Sequence, residues 1–380
     1  MTEEPSAERP TLASFVEDVW APRARRRLAA KTWERDAIVY RKHILPQLGR
    51  RRIATIDIED LVVWQDGLER AGVGAPTLIK AMGVLSSVFG EAARRPRSTG
   101  VSGNPVALLA KPPARRRRRP LVWGPVVIEQ VRYQLLINSL RIGSSRLAAA
   151  HQDALLVALM AATGCRPGEA LALRWSDIGE RVSITRRLSG AEIVDGTKNG
   201  RDRSVPVLPS LRADLAVARS LGDNHAEHHL FQTPAGAHWV ETDWRNYRRR
   251  HFVPALRRVE AEWVSWRRNL SCPEQVRESV AGLAATRPYD LGRHTHSALM
   301  LASGMSLQRL SRIQGHGIRV LDQTYSEQLA EFEDRDRYID PVREIERARS
   351  LVWSVASGES STRHHDSKRA AAKMPQCGRP

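Results

Sequence analysis

The chain has 380 residues, 42% of them hydrophobic, enough to fill two cores and leave room for a third domain at about 150 residues each. Its 60 Lys and Arg exceed 42 Asp and Glu, for a formal net charge of +18 at pH 7. Three scattered cysteines, Cys165, Cys272 and Cys377, argue against a disulfide framework or a four-thiolate zinc site. The longest apolar run, Ala154–Ala162, falls far short of the roughly 20 residues of a bilayer span. The opening MTEEPSAERP is acidic and has no apolar signal region. What remains is a cytoplasmic protein whose partner is a polyanion.

Residues 1–10 read as a flexible lead, and 11–96 as a small helical domain. Thr11 caps a first helix carrying Leu12, Phe15, Val16 and Val19 on one face. Thr32 is expected to cap a second, with Trp33, Ala37, Tyr40 and Ile44, stopped by Pro46 and Gly49. Asp57 opens a third through Leu61, Trp64 and Leu68, and Pro76-Thr77 opens a fourth through Leu78, Met82, Leu85 and Phe89.

Residues 97–120 read as an exposed basic linker, containing Asn104-Pro105, Pro112-Pro113 and the run Arg115, Arg116, Arg117, Arg118 and Arg119. Residues 1–120 hold 23 Lys and Arg against 13 Asp and Glu, so over half the excess charge sits there.

Residues 121–356 form a mixed domain. Helical periodicity covers Gly124–Leu140 and Arg146–Ala162, followed by strand-like Val182–Thr185, Glu192–Val194 and Ser204–Val207. Asp195–Gly200 lies between the last two and reads as their hairpin turn, because Asn-Gly accepts positive φ. Helices resume from Ser210, and Pro341–Val355 is a final amphipathic helix whose Val342, Ile345, Leu351, Val352 and Val355 are expected to dock on a neighbouring protomer. Ser357–Pro380 is polar and reads as a disordered tail.

Four segments suit chemistry on a phosphodiester: Thr163-Gly164-Cys165-Arg166-Pro167-Gly168-Glu169, the Asp195–Gly200 turn with Lys198, Tyr289–Thr295, and Gly315-His316 with Tyr325 beyond it. Together they resemble the tyrosine recombinases, the phage-integrase family. Thr163-Gly164-x-Arg166-x-x-Glu169 with Leu173-x-Trp175-x-Asp177 follows the first box of that family, and Arg293-His294-Thr295 follows the second. Gly315-His316 stands at the usual distance, and Tyr325 falls at the nucleophile position. The stretch His43–Gly49 and the closing Asn104-Pro105 are similar to the core-binding domain, so the resemblance covers about residues 11–345.

The resemblance implies a mainly α fold with a small β-sheet, a SAM-like core-binding domain and an α+β catalytic domain over 121–356. It implies a site-specific recombinase acting on double-stranded DNA as a homotetramer, with an accessory directionality factor as a further partner and no cofactor or metal. It also assigns roles that the chemistry supports. Arg166 and Arg293 are planar cations able to grip two phosphate oxygens, and His316 donates to the same oxygens. Tyr325 attacks phosphorus and forms a 3′-phosphotyrosyl intermediate.

Lys198 takes the role of general acid toward the leaving 5′-oxygen. Of the 60 basic residues 53 are Arg, and Lys198 is the only lysine between Lys111 and Lys368. Arginine holds its proton too tightly for that task, whereas a lysine can be tuned to release it.

The second box departs from the family pattern, which places a His, Lys or Tyr three residues before the arginine. Gly292 is inserted here, so plain spacing puts Asp290 at that position and skipping Gly292 puts Tyr289 there. Glu169 is expected to orient Arg166 or buttress the helix rather than touch DNA, and His294 and Thr295 to serve packing. His225, His228 and His229 read as loop residues rather than metal ligands, and Arg115–Arg119 as phosphate contacts.

Integration or excision of a mobile element is the expected role. Resolution of chromosome or plasmid dimers, a type IB topoisomerase-like reaction, telomere resolution and a catalytically impaired DNA-binding regulator are the alternatives. The short lead suggests a recombinase without a separate arm-binding domain, working at the nucleoid.

Overall fold

A computed structural model describes residues 9–113, 121–141, 147–197, 200–222, 225–270, 276, 278–315, 317–333 and 339–356. The chain divides into two compact units, Met1–Arg118 and Arg119–Pro380.

The first unit is all helical. The Thr11 hydroxyl accepts the Ser14 N–H and starts α1 (Leu12–Phe15), which runs through a π-helical turn at Val16–Trp20 into α2 (Ala21–Arg27). Leu28 and Ala29 are extended, so α3 (Ala30–Val39) starts from Ala29 and Thr32 lies in its first turn instead of capping it. A second π-helical turn, Tyr40–Ile44, leads to α4 (Leu45–Leu48), where Pro46 sits in the first turn and does not break the path. Asp57 caps α5 (Ile58–Arg70) through a reciprocal box with Asp60, and Pro76 stands in the first turn of α6 (Ala75–Ala92). Leu12, Phe15, Ile44, Leu61, Trp64, Leu85 and Phe89 fill the core.

Folding continues beyond the start of the expected linker. After α7 (Pro96–Thr99), Val101, Val106 and Leu109 bury against the same core. Asn104 makes this possible: its oxygen accepts the Val106 N–H, and its amide donates to the Ser86 hydroxyl at 2.8 Å. Asn104-Pro105 is therefore a clasp on α6 rather than a spacer.

In the second unit α9 (Leu147–Thr163) is buried on most of its surface, and α8 (Pro125–Arg141) packs along it. A one-turn α10 (Pro167–Ala170) leads to four short strands: β1 (Arg181–Ile184), β2 (Arg186–Ser189), β3 (Glu192–Asp195) and β4 (Arg203–Pro206). Their pairing differs from the expected one. β3 returns antiparallel on β2 from Gly190-Ala191, whereas β4 pairs antiparallel with β1, Ile184 opposite Arg203. The Asp195–Gly200 segment is thus no hairpin turn between β3 and β4. It begins an excursion, after which the returning chain rejoins the same strand path.

Next come α11 (Pro209–Leu221), α12 (Glu241–Tyr247) and α13 (Val253–Arg268). A π-helical turn at Asp290–His294 then runs into α14 (Thr295–Ala302), followed by α15 (Leu307–Gln314) and α16 (Ile318–Glu333).

The last helix, α17 (Pro341–Ala356), packs on α8 and α11 of its own unit. Ala348 and Val352 are buried, Trp353 donates to Glu129 at 2.9 Å, and Arg349 pairs with Asp214 at 2.5 Å. Of the apolar residues expected to dock on a neighbour, Val352 is buried and Leu351 half-buried within this unit, while Val342 and Ile345 are half-buried. The observed architecture is mainly α with two small antiparallel sheets. No helix among the described residues is long and apolar enough to cross a membrane.

Candidate active site

Gly164 closes α9 with φ of +64°, and a Cβ there would lie 2.6 Å from the His296 ring and 2.8 Å from the Gln314 amide. Only glycine permits both the left-handed backbone and this approach. The turn places Arg166 at the start of α10, where its backbone N–H donates to Glu169 Oε2 at 2.8 Å. The Arg166 guanidinium reaches Oε1 of the same carboxylate at 2.9 Å.

Glu169 is 1% exposed, and Arg203 of β4 also donates to it. Burial alone would raise the Glu169 carboxyl, but the Arg203 hydrogen bond and the charges of Arg203 and Arg166 hold it below its ordinary value. Glu169 thus pairs with Arg166 and with a second arginine, Arg203. Arg203 escaped the sequence reading because nothing in the sequence distinguishes it from Arg201 two residues earlier, and a period of two would put both on one face.

Arg293 lies at the other side of Gly164. It is 1% exposed and donates to the carbonyls of Gly164, at 2.5 Å, and Gln314. Burial, then the charges of Arg166 and Arg203, push its guanidinium down to about 10. Three arginines therefore share this region with the Glu169 carboxylate, leaving an excess of positive charge suited to a phosphate. Gln314 and Ser297, both fully buried, bond each other at 2.9 Å and brace the Arg293 backbone.

Gly292, the residue by which this segment departs from the family pattern, lies in the π-helical turn Asp290–His294, whose wider spacing has room for one residue more than an α-helical turn. This leaves Arg293 facing Gly164 and turns His294 toward α16, where its Nδ1 lies 2.5 Å from the Tyr325 hydroxyl. Tyr325 is 2% exposed, and burial raises its hydroxyl above the ordinary tyrosine range. Burial lowers His294, opposed by Asp290 and aided by Arg293 and Arg287, so the imidazole is neutral at pH 7.

Of the two candidates for the position before Arg293, Asp290 is gripped by Arg287 at 2.7 and 2.8 Å. Tyr289 meets the His294 ring edge-on, centroids 5.3 Å apart. The expectation that His294 only packs is corrected, since it touches the hydroxyl of the expected nucleophile. Its position directly after Arg293 and the inserted glycine was the available signal. Lys198, His316 and Arg115–Arg119 lie outside the described residues. Gly315 ends α15 at φ +64°, turning the chain immediately before His316. No group of three or more His, Cys, Asp or Glu among the described residues could hold a metal ion.

Residues 11–68 match the family model described as phage integrase, N-terminal SAM-like domain. By sequence, the chain matches no curated protein. Among solved structures it is similar to the Tn1549 transposon integrase in complex with transposon right end DNA, at 16% identity and TM-score 0.58, covering 85% of this chain and 98% of that one. A lambda integrase dimer bound to a COC′ core site is similar at 15% identity and TM-score 0.55, over 81% of this chain and 95% of that one. A lambda integrase tetramer bound to a Holliday junction matches at 15% identity and TM-score 0.56, over 83% and 82%. The chain thus carries a phage-integrase SAM-like segment near its N-terminus and shares the fold of these integrases.

Proposed function

We propose that this protein is a site-specific DNA recombinase that breaks and rejoins strands through a 3′-phosphotyrosyl intermediate, serving integration or excision of a mobile element. The observation that carries the reading is one cluster, in which Arg293 and Tyr325 are buried and Arg166 is half-buried. Arg166, Arg293 and Tyr325, far apart in sequence, meet around Gly164 and the Asp290–His294 turn.

The Tyr325 oxygen attacks phosphorus and the bond to the 5′-oxygen breaks. Arg166 and Arg293 balance the charge that grows on the non-bridging oxygens. His316 donates to those oxygens, and Lys198 supplies the proton for the leaving 5′-oxygen. The phosphotyrosyl bond keeps the energy of the broken one, so a 5′-hydroxyl can reverse the step without ATP. Glu169 acts through the arginines, holding Arg166 and Arg203 in place.

Tyr325 and Arg293 are enclosed in this structure, so a phosphate reaches them only after the surrounding elements rearrange. The partner is double-stranded DNA bearing a specific site, engaged by a homotetramer with an accessory directionality factor, at the nucleoid in the cytoplasm. Arg115–Arg119 contribute backbone contacts whose strength falls with salt. The lambda integrase tetramer on a Holliday junction, which shares this fold, supports the assembly.

The test is covalent capture. Nicked duplexes of randomised sequence are incubated with the wild-type chain, and a protein–DNA adduct resistant to denaturation is expected. Tyr325→Phe is expected to abolish it. An equal adduct yield from Tyr325→Phe would overturn the assignment.

A further inference from the structure

We propose that His294 is the proton acceptor for the Tyr325 hydroxyl, taking the place of the residue that the family pattern puts three positions before Arg293. The inference rests on the recombinase reading and adds the one role which that reading leaves unfilled.

The argument starts from the inserted glycine. In an α-helix, residues three apart share a face, so position 290 would accompany Arg293 into the site. The π-helical turn adds a residue to that path and changes which side chains point together. Arg293 keeps its contacts with Gly164 and Gln314, and its successor is the residue that meets Tyr325. Gly292 permits this because α9 runs against it: a Cβ there would fall 2.5 Å from the Met160 Cβ.

The two residues that spacing suggested become supports. Asp290 is engaged by Arg287 on both carboxylate oxygens, and its Oδ1 lies 3.7 Å from His294 Nε2. Tyr289 packs edge-on against the imidazole and limits its tilt. With Nδ1 accepting from Tyr325, the imidazole proton sits on Nε2, directed at Asp290. The carboxylate, imidazole and hydroxyl thus form a line in which a half-buried acid steadies a base beside a nucleophile.

The groups facing His294 are Asp290, Arg287 and Arg293 from its own turn and approach, Tyr289 beside it, and Tyr325 from α16. Enclosure and two arginines keep the imidazole neutral, the form that can take a proton. In the forward step the Tyr325 oxygen bonds to phosphorus, its proton passes to His294 Nδ1, and the 5′-oxygen leaves with the proton from Lys198. In the reverse step the 5′-hydroxyl gives its proton back to Lys198 as its oxygen attacks the phosphotyrosine, the bond from phosphorus to the tyrosine oxygen breaks, and imidazolium returns its proton to that oxygen. No proton is gained or lost over the cycle. Arg293 and His294 are consecutive, so the base stays near whatever phosphate the arginine holds.

The test uses duplexes recovered by covalent capture with the wild-type chain. Single-turnover adduct formation is followed against pH for wild type, His294→Gln, His294→Ala and Asp290→Asn, with thermal midpoint and duplex binding measured for each. His294→Gln is expected to slow the reaction by about 100-fold or more. The wild-type rate is expected to rise as the imidazolium deprotonates and then level off, a step absent from His294→Gln. Added imidazole is expected to speed His294→Ala, which a purely structural role for the ring would not allow. Asp290→Asn is expected to keep the step but move it to lower pH, since the carboxylate favours imidazolium. A His294→Gln rate within about threefold of wild type, below the range for a lost general base, would overturn the proposal. So would a slow variant that keeps the pH step and ignores imidazole. If the wild-type chain forms no Tyr325-dependent adduct on any duplex, the recombinase reading fails and this inference falls with it.

Discussion

Gly292 and Met160 touch so closely that a Cβ added to the glycine would lie 2.5 Å from the Met160 Cβ. The inserted residue that widens the Asp290–His294 turn is thus also one that α9 admits only without a side chain. Gly292→Ala forces either the turn or α9 to move and is expected to cost about 1–3 kcal/mol, the usual range for overpacking. Urea unfolding of the full chain measures this. Adduct formation should fall further than stability, because the displaced turn carries both Arg293 and His294.

Glu169 offers a pH-dependent check. Its carboxylate is held by Arg166 and Arg203, and its pKa in the fold lies below the ordinary 4.5. A depressed carboxyl adds stability that is complete above the unfolded value and disappears as pH falls through the folded one. Removing the charge leaves buried arginines uncompensated, so Glu169→Gln is expected to destabilise by about 3–5 kcal/mol at pH 7. The gap between wild type and variant, measured by denaturant unfolding, should narrow as pH drops below 4.5. A gap that is constant with pH would show that the charge of Glu169 does not act.

The docking of α17 on its own unit makes the opposite prediction from a helix held in reserve for a neighbour. Val352 is 1% exposed, and Val352→Ala removes two buried methyl groups, worth about 1.5 kcal/mol together at roughly 0.8 each. The thermal midpoint of the monomer without DNA should fall accordingly. An unchanged midpoint would mean that α17 is not held in cis in solution.

Lys198→Arg tests the general acid. The variant keeps the charge and DNA binding but gives up a proton that can be released, so cleavage of an ordinary duplex should drop by about 100-fold or more. A duplex whose scissile 5′-oxygen is replaced by sulfur has a leaving group that needs no proton. On that duplex Lys198→Arg and wild type should cleave at similar rates, and a persisting defect would rule out the acid role.

Much of the helical unit was legible because its signals are local. Thr11 and Asp57 cap the helices they were expected to cap, since an N-cap needs only hydrogen bonds within one turn. Thr32 failed for the same kind of reason in reverse. Its own turn was equally suited to the helix interior, and the extended Leu28–Ala29 pair set the start earlier. Composition misjudged residues 97–109, where Gly, Ser, Asn and Pro read as linker although Asn104 uses those features to clasp Ser86.

The choice of Arg166, Arg293 and Tyr325 as candidate residues followed from a family resemblance carried by short motifs in order, which the sequence alone holds. Which side chain stands beside the tyrosine did not. The departure at Gly292 from the family pattern could be housed as a loop, a skipped register or a π-helical turn; the structure has the last, with α9 fitted closely against the glycine. Strand partners were decided in the same way. Alternation marks a strand's faces but not its neighbour, so the pairing of β4 with β1 rests on contacts remote in sequence. Arg203 reached Glu169, and α17 reached α8, through such contacts. A periodic apolar face or a lone arginine shows in the sequence that a partner is needed, and only the packed chain brings one within reach.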